Sequence, residues 1–248
     1  MGVKSMVQSP FLPAIVLVGP REQGNIGAAA RAMANMGLEE LVLVKPEAEI
    51  GRIAKAFAVG AGHVLEAARH AGSLAEALAP FQRIIGTTSA RARDLPMPPL
   101  TPRELPAALA TEAPETRTAV VFGPEVSGLD NDQLALCGLL VRVPCAPVQP
   151  TLNLAQAVLI VSYEIYQARL AATDATGESL VPVTSGEVDG LFDQLVPLLT
   201  EIGFQRDDTF GGVVRDLRQL AARAGVTERE TSILRGICRR AQRALEHR

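Results

Sequence analysis

The stretch AIVLVGPREQGNIGAAARAMANMGLEELVLV, Ala14 to Val44, decides the fold. It opens and closes with short β-branched apolar runs, Ala14 to Val18 and Leu41 to Val44, each of ordinary strand length. Between them, Gly27 to Met36 is rich in Ala and Met, which favour helix, and Gly37 is a good helix stop. Strand, loop, helix, strand is a βαβ unit.

Outward from this unit the alternation continues, with further apolar runs at Arg83 to Gly86, Ala119 to Phe122 and Leu139 to Val143. Runs of this kind alternating with Ala-rich amphipathic stretches predict an α/β domain, a mostly parallel sheet covered by helices. The Pro-rich stretch RARDLPMPPLTPRELP, Arg91 to Pro106, reads as a long ordered loop without regular helix or ladder. Leu152 to Leu170 reads as a long helix, combining small and large apolar residues suited to close packing in the core or across a dimer interface. The chain then divides into a domain over 1–170, a linker over 171–186 and an all-helical extension over 187–248. In the extension, Thr227-Glu-Arg-Glu230 is a capping box ahead of an amphipathic run. Val213 to Arg248 holds nine Arg against four acids, and Arg235, Arg239 and Arg243 share one helix face. That face is read either as solvated or as phosphate-binding.

Composition bounds the remaining possibilities. The 248 residues are 48% hydrophobic, 21% charged and 4% aromatic, which excludes disorder, collagen and a disulfide scaffold. The net charge of −3 means that any phosphate-binding surface is local. Cys137, Cys145 and Cys238 form no CxxC pair and have no nearby His, so no metal site is expected and a reduced compartment fits. No uncharged apolar run reaches the ~18 residues of a membrane span. Pro13 interrupts the apolar start that loosely mimics a signal peptide, and the protein is read as soluble and cytoplasmic, without a membrane partner. His63, His70 and His247 are scattered and receive no role.

Three clusters carry polar residues that packing leaves unexplained. In the first, Gly19, Gly24 and Gly27 lie between a strand and a helix start, a place that suits an anion. The spacing is not GxGxxG, and Lys45 ends the second strand where a dinucleotide fold usually has an acid, which disfavours a plain NAD site. An NADP-binding oxidoreductase using Lys45 remains a rival. Asn25 is a cap or a site residue. Arg31 falls among small residues on a helix that packs on the sheet, and a buried or half-buried Arg needs an anion. In the second, Glu125 follows a strand at Gly123, where open α/β sheets bind ligands, or is a surface acid at a turn. In the third, Thr151 and Asn153 head the long helix after Pro147 and Pro150, and Thr151 is a candidate cap.

In order, Asn25-x-Gly27-x-x-x-Arg31, Phe122-Gly-x-Glu125-x-x-Gly128-Leu129 and Thr151-Leu-Asn153-Leu-Ala resemble the three motifs of the SpoU branch of the SPOUT RNA methyltransferases. Thr88-Ser-Ala-Arg91 and the tail segment Ile233-Leu-Arg-Gly-Ile237 narrow the likeness to its tRNA-modifying members. The resemblance implies a parallel sheet with a C-terminal trefoil knot, homodimerisation through the knot helix 152–170, and S-adenosylmethionine as cofactor. It implies cofactor contacts from Thr88, Ser89, Ala90, Gly123, Val143, Pro150, Thr151 and Leu152, with Thr151 standing where the family usually has Ser. It implies 2'-O-methylation of a tRNA ribose, at cytidine or uridine in anticodon-loop position 32. Arg31, Asn25, Glu125 and Asn153 take the catalytic roles. Arg91, Arg93, Arg235, Arg239 and Arg243 are candidate tRNA contacts. Action on rRNA, or a catalytically silent RNA-binding relative, are the alternatives within the fold.

Overall fold

The computed structural model describes residues 12–89, 95, 97–109, 113, 115–171, 181–204 and 210–246. The five expected strands form as β1 (Ala14–Val18), β2 (Leu41–Val44), β4 (Arg83–Thr87), β5 (Thr118–Phe122) and β6 (Leu139–Val141). A further strand, β3 (Arg69–Ala71), escapes sequence reading because Arg-His-Ala has no apolar run. It pairs through its backbone with β2 at the sheet edge. The sheet is parallel throughout, in the order β3-β2-β1-β5-β4-β6.

Alternation along each strand divides the core. Ile15, Leu17, Leu43, Ile85, Val120 and Phe122 face one side, covered by α1 (Gln23–Asn35), α2 (Arg52–Phe57), α3 (Gly62–Glu66), α5 (Leu105–Leu109) and α7 (Leu154–Ala171). Val16, Val18, Val42, Val44, Ile84 and Val121 face the other, covered by α4 (Leu74–Leu78) and α6 (Asn131–Ala135). The α1 helix seats itself by burying Ile26, Ala29, Ala30 and Met33, and a large apolar side chain buried this way contributes roughly 1.5–3 kcal/mol. The Pro-rich stretch departs from the loop expectation at its end, because Pro106 sits within the first turn of α5, where the missing N–H costs nothing.

The helical tail is docked, not loose. α8 (Ser185–Glu201) begins under α4, where the N–H groups of Ser185 and Gly186 donate to the carbonyls of Phe81 (2.7 Å) and Ala79 (3.0 Å). A Cβ on Gly138 would lie 2.3 Å from the Ala222 carbonyl oxygen, so α9 (Phe210–Ala224) approaches the sheet domain there at backbone distance. Arg215 pairs with Asp132 at 2.8 Å, and Arg218 pairs with Asp189 while stacking on the Phe192 ring. α10 (Glu228–Glu246) packs on α8, and its capping box forms: Thr227 N–H and hydroxyl bond Glu230, which holds that carboxyl below its ordinary range. A cavity of about 30 Å³ under this junction is water-sized. The tail therefore lies on the sheet face opposite α1 and α7.

Gly27 is required by close approach: a Cβ there would fall 2.0 Å from the Ala54 carbonyl oxygen of α2. Gly236, inside α10, has open space where a Cβ would go. The two glycines predict opposite signs. Gly236→Ala should raise stability by about 0.5–1 kcal/mol through helix propensity. Gly27→Ala gains the same term but loses about 1–3 kcal/mol to overpacking against backbone, for a net loss in urea titrations.

Candidate active site

All six strands point the same way, so the loops after β1, β4, β5 and β6 open at one rim of the sheet. Three of these loops are tied together by one run of hydrogen bonds. The Ala155 N–H donates to Asn153 Oδ1 at 2.9 Å, which turns the Asn153 amide group outward to donate from Nδ2 to Asn25 Oδ1 at 2.7 Å. Asn25 Nδ2 in turn donates to Glu125 Oε1 at 2.9 Å. The other Glu125 oxygen accepts from the backbone N–H of Arg21 at 3.2 Å. The polarity thus runs from a helix N-terminus to a carboxylate, and every amide atom in it has a role.

Two cap assignments change. Asn25 does not cap α1, because Glu22 is the N-cap residue and the Asn25 side chain is committed to Glu125. Thr151 does not cap α7, because that helix starts two residues later than expected and Asn153 takes the capping bond. Arg31 is also corrected: it is exposed, neither buried nor half-buried. The residues of α1 that meet the sheet fall on its other side. Six residues beyond Asn25, Arg31 stands about 9 Å along the helix axis and roughly 120° around it. Among the described residues no hydrogen bond or ion pair links Arg31 to Asn25 or Glu125.

Beside the hydrogen-bonded run lies a cleft of about 230 Å³. Thr88, Ser89, Gly123, Val143, Pro150, Thr151 and Leu152 all line it, together with Glu125. Ala90, Arg91 and Arg93 lie outside the described residues. The loop after β5 folds back so tightly that a Cβ on Gly123 would sit 2.3 Å from Leu129 N, and the turn is completed at Gly128 with φ +66°. The walls are Phe122, Val143, Leu152 and Leu154, with hydroxyls at Thr87, Thr88 and Thr151. Glu125 is the one charged side chain among the described lining residues. Such a cleft suits a flat apolar group with a polar arm and a positive centre. Sequence reasoning missed Thr87 and Cys145, which carry no motif and reach the cleft only through the fold, and Leu154, which lies inside the third motif but was given no cofactor role. It also missed the backbone of Arg21.

Of the tail arginines, Arg239 and Arg243 are exposed, but Arg235 turns inward and donates from Nη2 to the Glu187 carbonyl at 3.0 Å. It belongs to the α8–α10 contact, and the three-residue stripe reduces to two on the open face. Among the described residues no group of His, Cys, Asp and Glu could hold a metal, and no helix is long and apolar enough to cross a membrane.

Residues 13–163 match the model of the SpoU rRNA Methylase family, and residues 186–248 match that of the tRNA methyltransferase TrmJ, C-terminal domain. The tRNA (cytidine/uridine-2'-O-)-methyltransferase TrmJ of Cronobacter sakazakii is 40% identical over 228 residues, 90% of this chain and 93% of that protein. The tRNA (cytidine/uridine/adenosine-2'-O-)-methyltransferase TrmJ of Pseudomonas aeruginosa is 40% identical over 243 residues, 92% and 93% of the two chains. The crystal structure of TrmJ from Z. mobilis superposes with a TM-score of 0.83 at 32% identity, covering 94% of this chain and all of that one.

The cysteines provide a check on this geometry. Burial pushes the Cys137 thiol up to about 12 and raises that of Cys238, whereas Cys145 is half-buried at the cleft. A disulfide reagent at pH 8 should label one thiol in the folded protein, at Cys145, and three after denaturation. Rapid native labelling of Cys137 would contradict the packing described.

Proposed function

The chain belongs to the SpoU rRNA methylase family, and from that premise we infer that it is a tRNA 2'-O-methyltransferase acting on the ribose of cytidine and uridine. The observation that carries the reading is the Glu125–Asn25–Asn153 run, which joins segments 100 and 128 residues apart at the mouth of a cleft. We propose anticodon-loop position 32 as the target nucleotide and the cytoplasm as the compartment.

The cleft fits S-adenosylmethionine by the chemistry of its lining. Its apolar walls accept an adenine, its threonine hydroxyls accept a ribose, and Glu125 offers the negative charge that a sulfonium requires. When bound, the cofactor would supply an electrophilic methyl group for transfer to an oxygen nucleophile. Thr88, Ser89, Gly123, Val143, Pro150, Thr151 and Leu152 would hold it, with Ala90 at the end of the same loop.

A ribose hydroxyl is a poor nucleophile, so the enzyme must stabilise the developing alkoxide or accept its proton. A guanidinium stays protonated in proteins and is no base. Arg31 therefore acts by charge, holding a neighbouring phosphate and polarising the 2'-oxygen. Asn25, Glu125 and Asn153 fix the loops around cofactor and ribose.

Since Arg31 stands apart from the cleft of its own chain, the reading is completed by a homodimer in which Arg31 serves the partner subunit's cleft. In support, Leu159, Tyr163, Tyr166 and Leu170 form an i, i+4, i+7, i+11 stripe on α7, and Leu159, Tyr163 and Leu170 are exposed. The division into a methyltransferase domain (1–170), a linker (171–186) and an RNA-binding extension (187–248) belongs to the same proposal. So do tRNA contacts from Arg91, Arg93, Arg239 and Arg243.

A threaded carboxyl-terminal segment, the trefoil knot, is supported by one observation. β6 pairs with β4 on one side and, through Val141, with Leu100 on the other. Thr87 and Leu100, on either side of the connection leaving β4, therefore flank Val141 on opposite edges.

Incubation with total tRNA and labelled S-adenosylmethionine, followed by nucleoside analysis, should yield 2'-O-methylcytidine and 2'-O-methyluridine; no incorporation would overturn the reading. Arg31→Ala should lower single-turnover methylation by about 10²–10³-fold, and Arg31→Lys should retain charge yet lose most of the rate for want of the bidentate fork. S-adenosylhomocysteine should protect Cys145 from thiol labelling.

A further inference from the structure

Over the first turn of α1, the helix of Arg31, the surface carries an exposed ring. Phe57, at the end of α2, is 55% exposed, with Ile53 and Val59 exposed around it. The chain has seven Phe, two Tyr and no Trp, and among the described aromatics Phe57 is exposed together with Tyr163 and Phe204. Its placement on α1 is well defined. The Phe57 ring atoms Cε2 and Cζ lie 3.7 Å from where a Gly24 Cβ would be, and its Cβ lies 3.0 Å from where a Gly27 Cβ would be. Gly24, Gly27 and Arg31 are spaced i, i+3, i+7, one row along α1. The ring thus rests at the amino-terminal end of the row that carries Arg31, about two turns along α1 from it. Without side chains at Gly24 and Gly27, the ring packs close to the helix while more than half of the residue stays exposed.

The charge of this ridge has one sign. α1 and α2 contain Arg31, Arg52 and Lys55 and no Asp or Glu. All three cations are exposed, and none makes an ion pair among the described residues. The acids nearest in sequence to these cations, Glu39 and Glu49, lie outside both helices, and Glu22 stands at the N-cap of α1, two residues before Gly24. An open aromatic face amid unpaired cations is the recognition chemistry of an unpaired nucleotide: the base stacks and the phosphates meet the charges. A protein surface docking here would instead be selected by matching carboxylates or by a wider apolar field.

We propose that Phe57 is a stacking platform for an unpaired base of the RNA substrate, adjacent to the nucleotide whose 2'-oxygen meets Arg31, with Arg52 and Lys55 gripping the flanking phosphates. This inference rests on the tRNA methyltransferase reading above and adds a substrate-contacting residue that lies outside the three motifs. It also assigns a reason for recognising a loop: a base inside a duplex cannot reach the ring.

The test uses the full-length protein and an unmodified tRNA transcript that the wild type methylates. Phe57→Ala should raise Kd and KM for tRNA by about 5- to 100-fold, the range for losing one stacked base, while S-adenosylhomocysteine affinity by calorimetry stays within twofold. Phe57→Trp should retain tRNA affinity and, as the one tryptophan in the chain, show saturable fluorescence quenching when tRNA is added. Arg52→Gln with Lys55→Gln should reduce the slope of log Kd against log salt by about one per cation. Unchanged tRNA affinity in Phe57→Ala, or no quenching in Phe57→Trp at saturating tRNA, would overturn the inference and leave the enzyme reading intact. Dissociation of a wild-type dimer on Phe57→Ala, seen by sedimentation, would reassign the ring to a contact between protomers. Absence of tRNA methylation by the wild type would remove both readings together.

Discussion

One carboxylate organises the rim of the sheet. Glu125 accepts from the main chain of the loop after β1 and from Asn25 on the helix that follows it, and Asn25 passes the constraint to Asn153 at the head of α7. Loops at strand ends are the freest parts of an α/β domain, and a cleft built from several of them has a defined shape only if something fixes their relative positions. Charge-assisted hydrogen bonds do this at little entropic cost, because Asn and Glu at these positions start from ordered backbone. The cap of α7 and the mouth of the cleft are then one structure, and a shift in either is felt by the other.

The fold also separates two positively charged regions. Arg31 and the cations of α2 lie on the face covered by α1 and α7, while the arginine-rich tail is anchored under α4 and α6 on the other. Anchoring depends on backbone contacts at Gly138 and Ser185 and on the Arg218–Asp189 pair beneath Phe192, which is partly shielded. The more exposed Arg215–Asp132 pair contributes less. An RNA touching both regions of one chain has to pass around the sheet edge. In the homodimer proposed above, Arg31 of one chain would serve the cleft of the other.

Much of this was legible in the residues. The alternation of β-branched runs with Ala-rich segments gave the parallel sheet, and the three polar motifs marked the loops that meet. The misreadings have physical causes. β3 has no apolar signature because an edge strand needs only backbone partners. Asn25 and Thr151 are plausible caps by type, but a cap is decided by where the helix starts: α1 begins before Asn25, and α7 begins after Asn153, which takes the local capping bond. Arg31 looked buried because its neighbours are small; small residues on α1 serve the sheet and α2 and leave the guanidinium outside. Arg235 shares a helical face with Arg239 and Arg243, yet α8 covers one end of that face and not the other.

Local chemistry alone determined the element types, the βαβ order, the capping box at Thr227 and the identity of the polar residues available for catalysis, because these follow from side-chain shape and short-range periodicity. Which of those residues touch was settled only by packing. Hydrogen bonds spanning a hundred residues, the closure of the cleft by Cys145 and Leu154, and the seating of Phe57 on Gly24 depend on distances between elements. Such distances are set by how the two sheet faces fill, not by any one segment.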